Sequence, residues 1–249
     1  MSKPRRARFI ALAELLAHRH PGVDPDAIRA GRVLVDGRVL SNPEARARKD
    51  AAVRVLPETR LRGDVKLSHA LDTLAVPVSR RTAVDVGAAA GGFTTALLRR
   101  GARRVYAVDV GFHQLRGWLR QDPRVVNLER HNLAVVDRSV VPEPVDVVTL
   151  DLSYLSVAGA LPHLERLCFA PGADLVALVK PTFELHRPTL AARPADVAAA
   201  LRFAVGAAES LGWAVLATCD APRTGRRGAR EVFLHAHRRA RRAGVTPGR

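Results

Sequence analysis

Four charged residues lie at or just beyond the ends of apolar segments in this sequence. Asp85, Asp109, Asp151 and Lys180 each close a run of apolar residues with the length of a buried strand. The carboxyl ends of parallel strands meet at one edge of an open sheet, which is where ligands bind. Carboxylates there can accept hydrogen bonds from hydroxyls or an ammonium, and a neutral lysine can accept a proton. We therefore expect a ligand-binding edge. For Asp151 and Lys180, a purely structural ion pair is the alternative.

Glycines follow the first of these strands. Gly87 breaks the apolar run, Gly91 and Gly92 open a helix, and Gly101 closes that helix after Leu98. The spacing differs from the G-x-G-x-x-G pattern that brings backbone amides to a dinucleotide pyrophosphate, so the expected ligand has no diphosphate. S-adenosylmethionine fits, because glycine backbone can closely approach its amino-acid and ribose parts. A plain tight turn is the alternative for the glycines alone.

The donor contacts are expected at the ends of three successive strands. Asp85 is placed to receive the ammonium of S-adenosylmethionine, directly or through water, and Asp109 to accept both ribose hydroxyls. Glu129, His131 and Asn132 follow the third strand, and any of them could meet the adenine. The residues predicted to contact the donor are Asp85, Gly87, Gly91, Gly92, Phe93, Asp109, Val110, Asn132 and Asp151.

The composition indicates a polyanionic partner. The 249 residues include 40 Lys and Arg against 24 Asp and Glu, which gives a formal charge of +16 and a pI of about 11.4. Nucleic acid is favoured over membrane insertion, because no apolar run approaches the ~20 residues that a spanning helix needs. Cys168 and Cys219 are isolated and the nine histidines form no ligand cluster, so we predict no metal site and a cytoplasmic location.

The front of the chain has the pattern of a small separate module. An amphipathic helix is predicted from Phe9 to Ala17, and a short helix capped by Asp24, with Pro25 at its first position and Gly31 past its end. The residues predicted to share the apolar face of the first helix are Phe9, Ile10, Ala13, Leu16 and Ala17.

A hairpin and basic residues follow in this module. Asp36-Gly37 predicts a two-residue turn between strands at 32–35 and 38–40, and a further strand is predicted at 53–56. Segment 28–40, IRAGRVLVDGRVL, resembles the small RNA-binding module first seen in a ribosomal small-subunit protein. A solvated basic surface is the alternative for its arginines. The predicted RNA contacts are Arg29, Arg32 and Arg38, together with Arg62 and, in the basic loop 221–230, Arg226 and Arg227.

The rest of the chain alternates strands with helices, which predicts an α/β fold. The predicted strands are 83–86, 103–110, 125–129, 145–150, 173–179, 213–218 and 231–235, and the predicted helices are 91–98, one beginning at Lys66, 157–167 and 194–211.

The lysines are few. Only four of the 40 basic residues are Lys, and Lys66 and Lys180 lie in the α/β region. Arginine stays charged in proteins, whereas a lysine can lose its proton when desolvated or set beside another cation. This choice of residue points to base catalysis.

The whole chain resembles the TlyA family, a branch of the FtsJ-like ribose methyltransferases. The matching segments are DVGAAAGGFT at 85–94, VYAVDVGFHQL at 105–115, DLSYLS at 151–156, LVKPTFEL at 178–185 and GAREVF at 228–233. The resemblance implies a Rossmann-like class I methyltransferase sheet of seven mostly parallel strands with a small N-terminal α+β RNA-binding domain. It also implies 2′-O-methylation of ribosomal RNA, typically at cytidine, by a tetrad that falls here on Lys66, Asp151, Lys180 and Glu231.

This resemblance divides the chain into four parts. They are an RNA-binding domain at 1–58, a linker and first catalytic helix at 59–80, a methyltransferase domain at 81–238 and a basic tail at 239–249.

Within the tetrad, Lys180 is the expected general base. Lys66 would favour the neutral form of Lys180 by like-charge repulsion and stabilise the alkoxide, while Asp151 and Glu231 orient the two amines. The alternatives are a methyltransferase for a small molecule and a ribosome-binding or haemolysin-like protein without turnover. Ribosomal RNA or ribosomal subunits are the expected partners, and the sequence leaves the oligomeric state open.

Overall fold

The chain forms two compact units. The computed structural model describes residues 8–56, 60–187, 193–222 and 230–239. The smaller unit comprises Met1–Arg60 with Arg116–Pro123, and the larger comprises Leu61–Leu115 with Arg124–Arg249. Segment 116–123 lies inside the range predicted for the methyltransferase domain, so its grouping with the smaller unit was not anticipated.

The smaller unit is built from short elements. They are β1 (Phe9–Ala11), α1 (Leu12–Arg19), α2 (Asp26–Arg29), β2 (Val33–Val35), β3 (Arg38–Val39), β4 (Arg46–Arg48) and β5 (Val53–Val55). β1 pairs with β4, and β3, β2 and β5 form an antiparallel sheet in that order. The core contains Leu12, Leu15 and Leu16 of α1 packed with Ile28 and Val33.

The predicted hairpin in this unit is confirmed. Asp36 and Gly37 have positive φ values of 48° and 79°, as a two-residue turn of this kind requires, and Leu34 pairs with Val39 on either side of it. The predicted strand at 53–56 is also present, as β5 paired with β2.

Both helix predictions for this unit are wrong at their starts. Residues 9–11 are extended because β4, which the sequence analysis missed, offers them backbone partners. Phe9 is therefore half exposed, and Ala17 is exposed on the outer side of α1. The second helix begins at Asp26, because Asp24 Oδ1 accepts a hydrogen bond from the Asp26 amide and Pro25 takes the cap position.

The larger unit is an α/β sandwich. Its region of the chain contains α3 (Arg62–Thr73), β6 (Thr82–Val86), α4 (Gly92–Arg99), β7 (Arg104–Asp109), α5 (Gly117–Gln121), β8 (Val125–Glu129), β9 (Val145–Leu150), α6 (Val157–Leu164), β10 (Phe169–Val179), α7 (Pro181–Glu184), α8 (Pro194–Ser210), β11 (Trp213–Asp220) and β12 (Val232–Arg238). Of these, α5 lies in the segment that groups with the smaller unit.

One sheet of seven strands organises the larger unit. The strand order is β11-β12-β10-β9-β6-β7-β8, and β12 runs antiparallel to both of its neighbours while the other strands are parallel. The predicted fold class is confirmed. Because the parallel strands share one direction, their carboxyl ends lie at a common edge.

Helices cover the apolar strands of this sheet. Val84, Val148 and Leu175 have no exposed surface, and α6 and α8 contribute buried Leu161 and Ala204 to the same core. No helix among the described residues has the length and apolarity needed to span a bilayer.

Two elements begin four residues before their predicted starts. α3 begins at Arg62, so Lys66 lies within the helix instead of opening it. β10 begins at Phe169, because that residue pairs with Val145 of β9. The register is irregular after Phe169, and regular pairing with β9 starts at Asp174.

Candidate active site

Three strand ends meet at one edge of the sheet. Ala177 of β10 pairs with Leu150 of β9, and Val179 pairs with Val232 of β12. Asp151 follows β9, Lys180 follows β10 and Glu231 precedes β12, so these three residues extend from adjacent strands toward the same side.

Lys180 is held by three oxygen acceptors. Its Nζ atom lies 2.6 Å from Asp151 Oδ1, 2.8 Å from the Leu152 carbonyl oxygen and 3.1 Å from Ser153 Oγ. The Lys180 side chain is 12% exposed. These acceptors match the three N–H bonds of an ammonium and fix its direction. The structure thus brings Asp151 and Lys180 into contact, as expected, while their catalytic roles stay predictions.

Lys66 forms a second ion pair at this edge. Its Nζ donates to Glu231 Oε2, and the two side chains are 11% and 7% exposed. The pair joins α3 to the start of β12. Removing one partner of such a pair leaves an uncompensated buried charge, which costs ~3–5 kcal/mol. Each lysine of the predicted tetrad therefore has its own carboxylate, and the structure brings all four residues to the edge.

Asp85 is fully buried beneath the glycine turn. Its Oδ2 accepts a hydrogen bond from Thr94 Oγ1 at 2.6 Å, and its Oδ1 accepts one from Thr149 Oγ1 at 2.9 Å. Burial raises the pKa of Asp85 to about 6; the two hydroxyls oppose the rise and nearby Asp151 adds to it. A side chain with no exposed surface cannot touch a ligand directly, so this geometry excludes the direct ammonium contact, and the predicted contact through water stays a prediction.

Asp109 is partly exposed and connects two loops. Its Oδ1 accepts a hydrogen bond from the Gly111 amide at 2.7 Å, and its Oδ2 accepts one from the Ala89 amide at 2.8 Å. The loop after β7 is thereby fixed to the glycine turn after β6. Each carboxylate oxygen keeps a second acceptor position, which is what two ribose hydroxyls require.

The predicted glycines have two different functions in the fold. Gly87 and Gly91 have φ values of 85° and 90°, which favour glycine. A Cβ atom on Gly87 would lie 2.5 Å from the Asp151 carbonyl oxygen, so the turn packs directly against the loop of the tetrad. A Cβ atom on Gly92 would lie 2.8 Å from Gly63 Cα, so Gly92 lets the starts of α3 and α4 approach each other.

The remaining predicted donor contacts divide by exposure. Phe93 is 2% exposed and its ring centroid lies 6.0 Å from that of Phe233, so its side chain belongs to the core. Val110 is 45% exposed. Asn132 is also exposed, and its Oδ1 caps a short 3₁₀ turn through the Ala134 amide.

The arginines predicted to contact RNA in the smaller unit differ in their exposure and in their pairing with other groups. Arg38 is exposed on β3, and Arg29 is exposed but paired with Asp26 at 2.8 Å. Arg32 is partly buried, and its guanidinium approaches the Leu56 carbonyl oxygen. In the larger unit, Arg62 is exposed at the first residue of α3. Arg226 and Arg227 lie outside the described residues.

Sequence reasoning missed several residues that support the site. Thr94 and Thr149 bind Asp85, and Ser153 binds Lys180. Glu184 accepts a hydrogen bond from the Val157 amide, and burial raises its pKa. Tyr154 is half exposed, and burial together with nearby Asp109 raises its pKa. The sequence feature that could have identified the hydroxyl residues of this group is their position near the ends of predicted strands.

Two histidines and a carboxylate lie together in the structure, which the sequence did not predict. His235 and His237 converge on Asp174, which also binds Arg81. Although burial acts to raise the pKa of Asp174, its hydrogen bonds with His235 and Arg81 hold that pKa below its usual value. Asp174 and His237 lie near the starting end of the parallel pairing of β10, away from the tetrad.

Comparison with known proteins identifies the family. The FtsJ-like methyltransferase family matches residues 59–238. The 16S/23S rRNA (cytidine-2′-O)-methyltransferase TlyA of Mycobacterium tuberculosis is 39% identical over 224 residues, which cover 84% of this chain and 81% of that protein. The chain belongs to the TlyA branch of the FtsJ-like methyltransferase family.

Other relatives with the TlyA-type sequence bear a different name. Hemolysin A of Brachyspira hyodysenteriae is 32% identical over 169 residues, which cover 65% of this chain and 68% of that protein. A solved structure named as a hemolysin from Streptococcus thermophilus superposes with a TM-score of 0.69 at 27% identity, covering 93% of this chain and 89% of that one. The resemblance to the TlyA family predicted from sequence is confirmed.

Proposed function

We propose that this chain transfers the methyl group of S-adenosylmethionine to the 2′-oxygen of a cytidine ribose in ribosomal RNA. The observation that most supports the proposal is the pairing of Lys180 with Asp151, and of Lys66 with Glu231, at the carboxyl edge of a methyltransferase sheet. The Mycobacterium tuberculosis relative is named for the same reaction.

The edge has the features that S-adenosylmethionine requires. Gly87 and Gly91 keep side chains out of the turn that would receive the amino-acid part, and Asp109 has acceptor positions for the ribose hydroxyls. Val110 and Asn132 present exposed surface for the adenine. When bound, the donor supplies a methyl group already activated on a sulfonium.

The protein must therefore position the ribose 2′-hydroxyl and remove its proton. Lys180 is fixed by Asp151, the Leu152 carbonyl and Ser153, so its amine has a defined direction. In this proposal, Lys180 first releases one proton to solvent. Its neutral amine would then accept the hydroxyl proton when the 2′-oxygen bonds to the methyl carbon, while the methyl–sulfur bond of the donor would break and a neutral thioether would leave.

Lys66 acts on the same oxygen through its charge. Glu231 holds the Lys66 ammonium at the neighbouring strand end, where it can stabilise negative charge that develops on the 2′-oxygen. Asp151 and Glu231 are positioning residues in this account, because each contacts a lysine and neither is assigned a proton transfer.

The charge of the whole chain suits an RNA substrate. With a formal charge of +16, the protein attracts a polyanion over distances longer than any single contact. The exposed Arg38 and Arg62 are proposed phosphate contacts. Ribosomal RNA, free or in ribosomal subunits, is the proposed partner, and the cytoplasm is therefore the proposed location.

Alkaline hydrolysis tests the reaction type directly. Purified protein is incubated with ribosomal RNA or subunits and S-adenosylmethionine labelled in the methyl group. A 2′-O-methyl group removes the hydroxyl that alkali uses for cleavage, so we expect label in alkali-resistant dinucleotides. Label in mononucleotides would indicate base methylation. Absence of label from both RNA and subunits would favour a small-molecule substrate or a protein without turnover.

A further inference from the structure

A second cluster of charged side chains lies at the other end of β10. Asp174 Oδ1 is 2.6 Å from His235 Nε2 and 2.8 Å from His237 Nδ1, while Asp174 Oδ2 is 2.5 Å from Arg81 Nη1. Lys180 lies six positions after Asp174 along the chain. An extended strand of that length spans about 20 Å, so the cluster is separate from the candidate active site.

The sheet itself holds the three side chains together. His235 and His237 are two residues apart on β12, so they point to the same face. Asp174 is the cross-strand partner of His237 on β10. One ligand atom from each of the three residues lies within 4.8 Å of the other two.

The hydrogen bonding of this cluster is incomplete. His237 Nδ1 is buried and makes no aligned hydrogen bond to any described residue, although Asp174 Oδ1 is only 2.8 Å away. Two imidazole nitrogens thus face a single carboxylate oxygen. A cation bound to that oxygen and to both nitrogens would satisfy His237 Nδ1, which the protein alone does not.

We propose that Asp174, His235 and His237 bind one Zn²⁺ ion. Imidazole nitrogen and carboxylate oxygen are ordinary zinc ligands, and three of them leave a fourth position for water. The His237 side chain is 42% exposed, whereas that of Asp174 has no exposed surface, so the ion and its water enter from the His237 side. Tetrahedral ligands at ~2.1 Å from the metal lie ~3.4 Å apart, so the distance from Asp174 Oδ1 to each imidazole nitrogen grows by less than ~1 Å on binding.

Arg81 supports this site from the second carboxylate oxygen. Ligating carboxylates are commonly oriented by a further hydrogen-bond partner, and Arg81 Nη1 supplies one to Asp174 Oδ2. Arg81 directly precedes β6, so the ion and its partners connect β6, β10 and β12 at the end of the sheet opposite the tetrad. The ion would therefore stabilise the sheet and take no part in methyl transfer.

Zinc binding to the tag-free full chain tests the proposal. ZnCl₂ is titrated by calorimetry in the presence of a competing chelator, and we expect one strong site per chain. At a free Zn²⁺ concentration ~100-fold above Kd, Tm should rise by about 5–10 °C.

Variants distinguish this site from adventitious Zn²⁺ binding by surface histidines. His237→Ala should weaken the strong site at least ~100-fold and abolish the Tm increase, and Arg81→Gln should weaken it ~10–100-fold. His69→Ala, which removes an exposed histidine of α3, should leave both unchanged. His237→Gln, which keeps most of the side-chain volume, repeats the test if His237→Ala does not fold.

The contrary results are equally definite. Absence of a one-to-one site in the wild-type chain, or equal Zn²⁺ affinity in the His237 and His69 variants, would show that Asp174 merely accepts hydrogen bonds from Arg81 and the histidines.

Discussion

Asp85 and Asp109 lie near the carboxyl ends of the neighbouring strands β6 and β7 but have opposite surroundings. Asp85 is enclosed and bound by two threonine hydroxyls, whereas Asp109 is partly exposed and bound by two backbone amides. Sequence predicted that both carboxylates lie at strand ends. It could not predict their exposure, because Thr149 reaches Asp85 from a strand 64 positions away.

The raised pKa of Asp85 makes stability depend on pH. The pKa is about 6 in the folded chain against a reference value of 3.8, so burial favours the protonated acid. This contribution is fully present below about pH 4 and is lost as pH rises through about 6. The pKa difference of about two units corresponds to about 3 kcal/mol.

Asp85→Asn removes this titration and keeps a polar group between the two threonines. Relative to wild type, its free energy of unfolding should rise by about 2.5 kcal/mol between pH 4 and pH 7, most of the full difference. Urea unfolding of both proteins across that range measures the difference. Parallel stability curves would mean that Asp85 titrates normally.

Asp109→Ala tests the donor site without an RNA substrate. It removes the proposed acceptor of the ribose hydroxyls and frees the Gly111 and Ala89 amides. S-adenosylmethionine affinity, measured by calorimetry, should fall by about 1.5–3 kcal/mol. Asp220→Ala, which alters an exposed pair with Arg230, is the matched control and should bind normally. Equal affinity of both variants would remove Asp109 from the site.

At the scale of elements, prediction succeeded where the apolar pattern alone determines the strand. β8 and β9 have the predicted bounds, because their runs are long enough to fill the sheet. β1, β4 and α7 were missed because they are three or four residues long and depend on partners distant in sequence. The pairing of Lys66 with Glu231, 165 positions apart, likewise requires the sheet order.

Glu184 connects two of these elements. It is the last residue of α7, the helix that begins directly after Lys180. Its carboxylate accepts hydrogen bonds from the amides of Val157, at 2.5 Å, and Ala158, at 3.5 Å, at the start of α6. Ser156 caps the next amide of the same turn. The two segments that hold the Lys180–Asp151 pair are therefore joined by one buried carboxylate.

Glu184→Ala should leave these amides without a partner and lower the free energy of unfolding by ~1–3 kcal/mol. It should also slow methylation, because α7 positions Lys180. Urea unfolding and rate measurements check the two effects. Glu209→Ala, at an exposed position of α8, should change stability by less than ~0.5 kcal/mol. A Glu184 variant that behaves like this control would contradict the connecting role.

At the scale of the whole molecule, RNA binding should be dominated by charge. The logarithm of the association constant should fall linearly with the logarithm of salt concentration, with a slope that counts phosphate contacts. Arg38→Ala should reduce that slope by ~1 and weaken all RNA sequences alike. Arg202→Ala, an exposed change on α8, is the control. Identical slopes for the two variants would exclude Arg38 from the RNA-binding surface.

The central claim is that Lys180 removes the 2′-hydroxyl proton, and Lys180→Arg tests it most directly. Arginine keeps the charge beside Asp151 but cannot become neutral. The measurement is single-turnover methylation of ribosomal RNA at saturating RNA and donor, with donor affinity determined separately and Lys49→Arg, an exposed change, as control. We predict normal donor binding and a methylation rate reduced at least ~100-fold. A Lys180→Arg rate within a few-fold of wild type would contradict the claim.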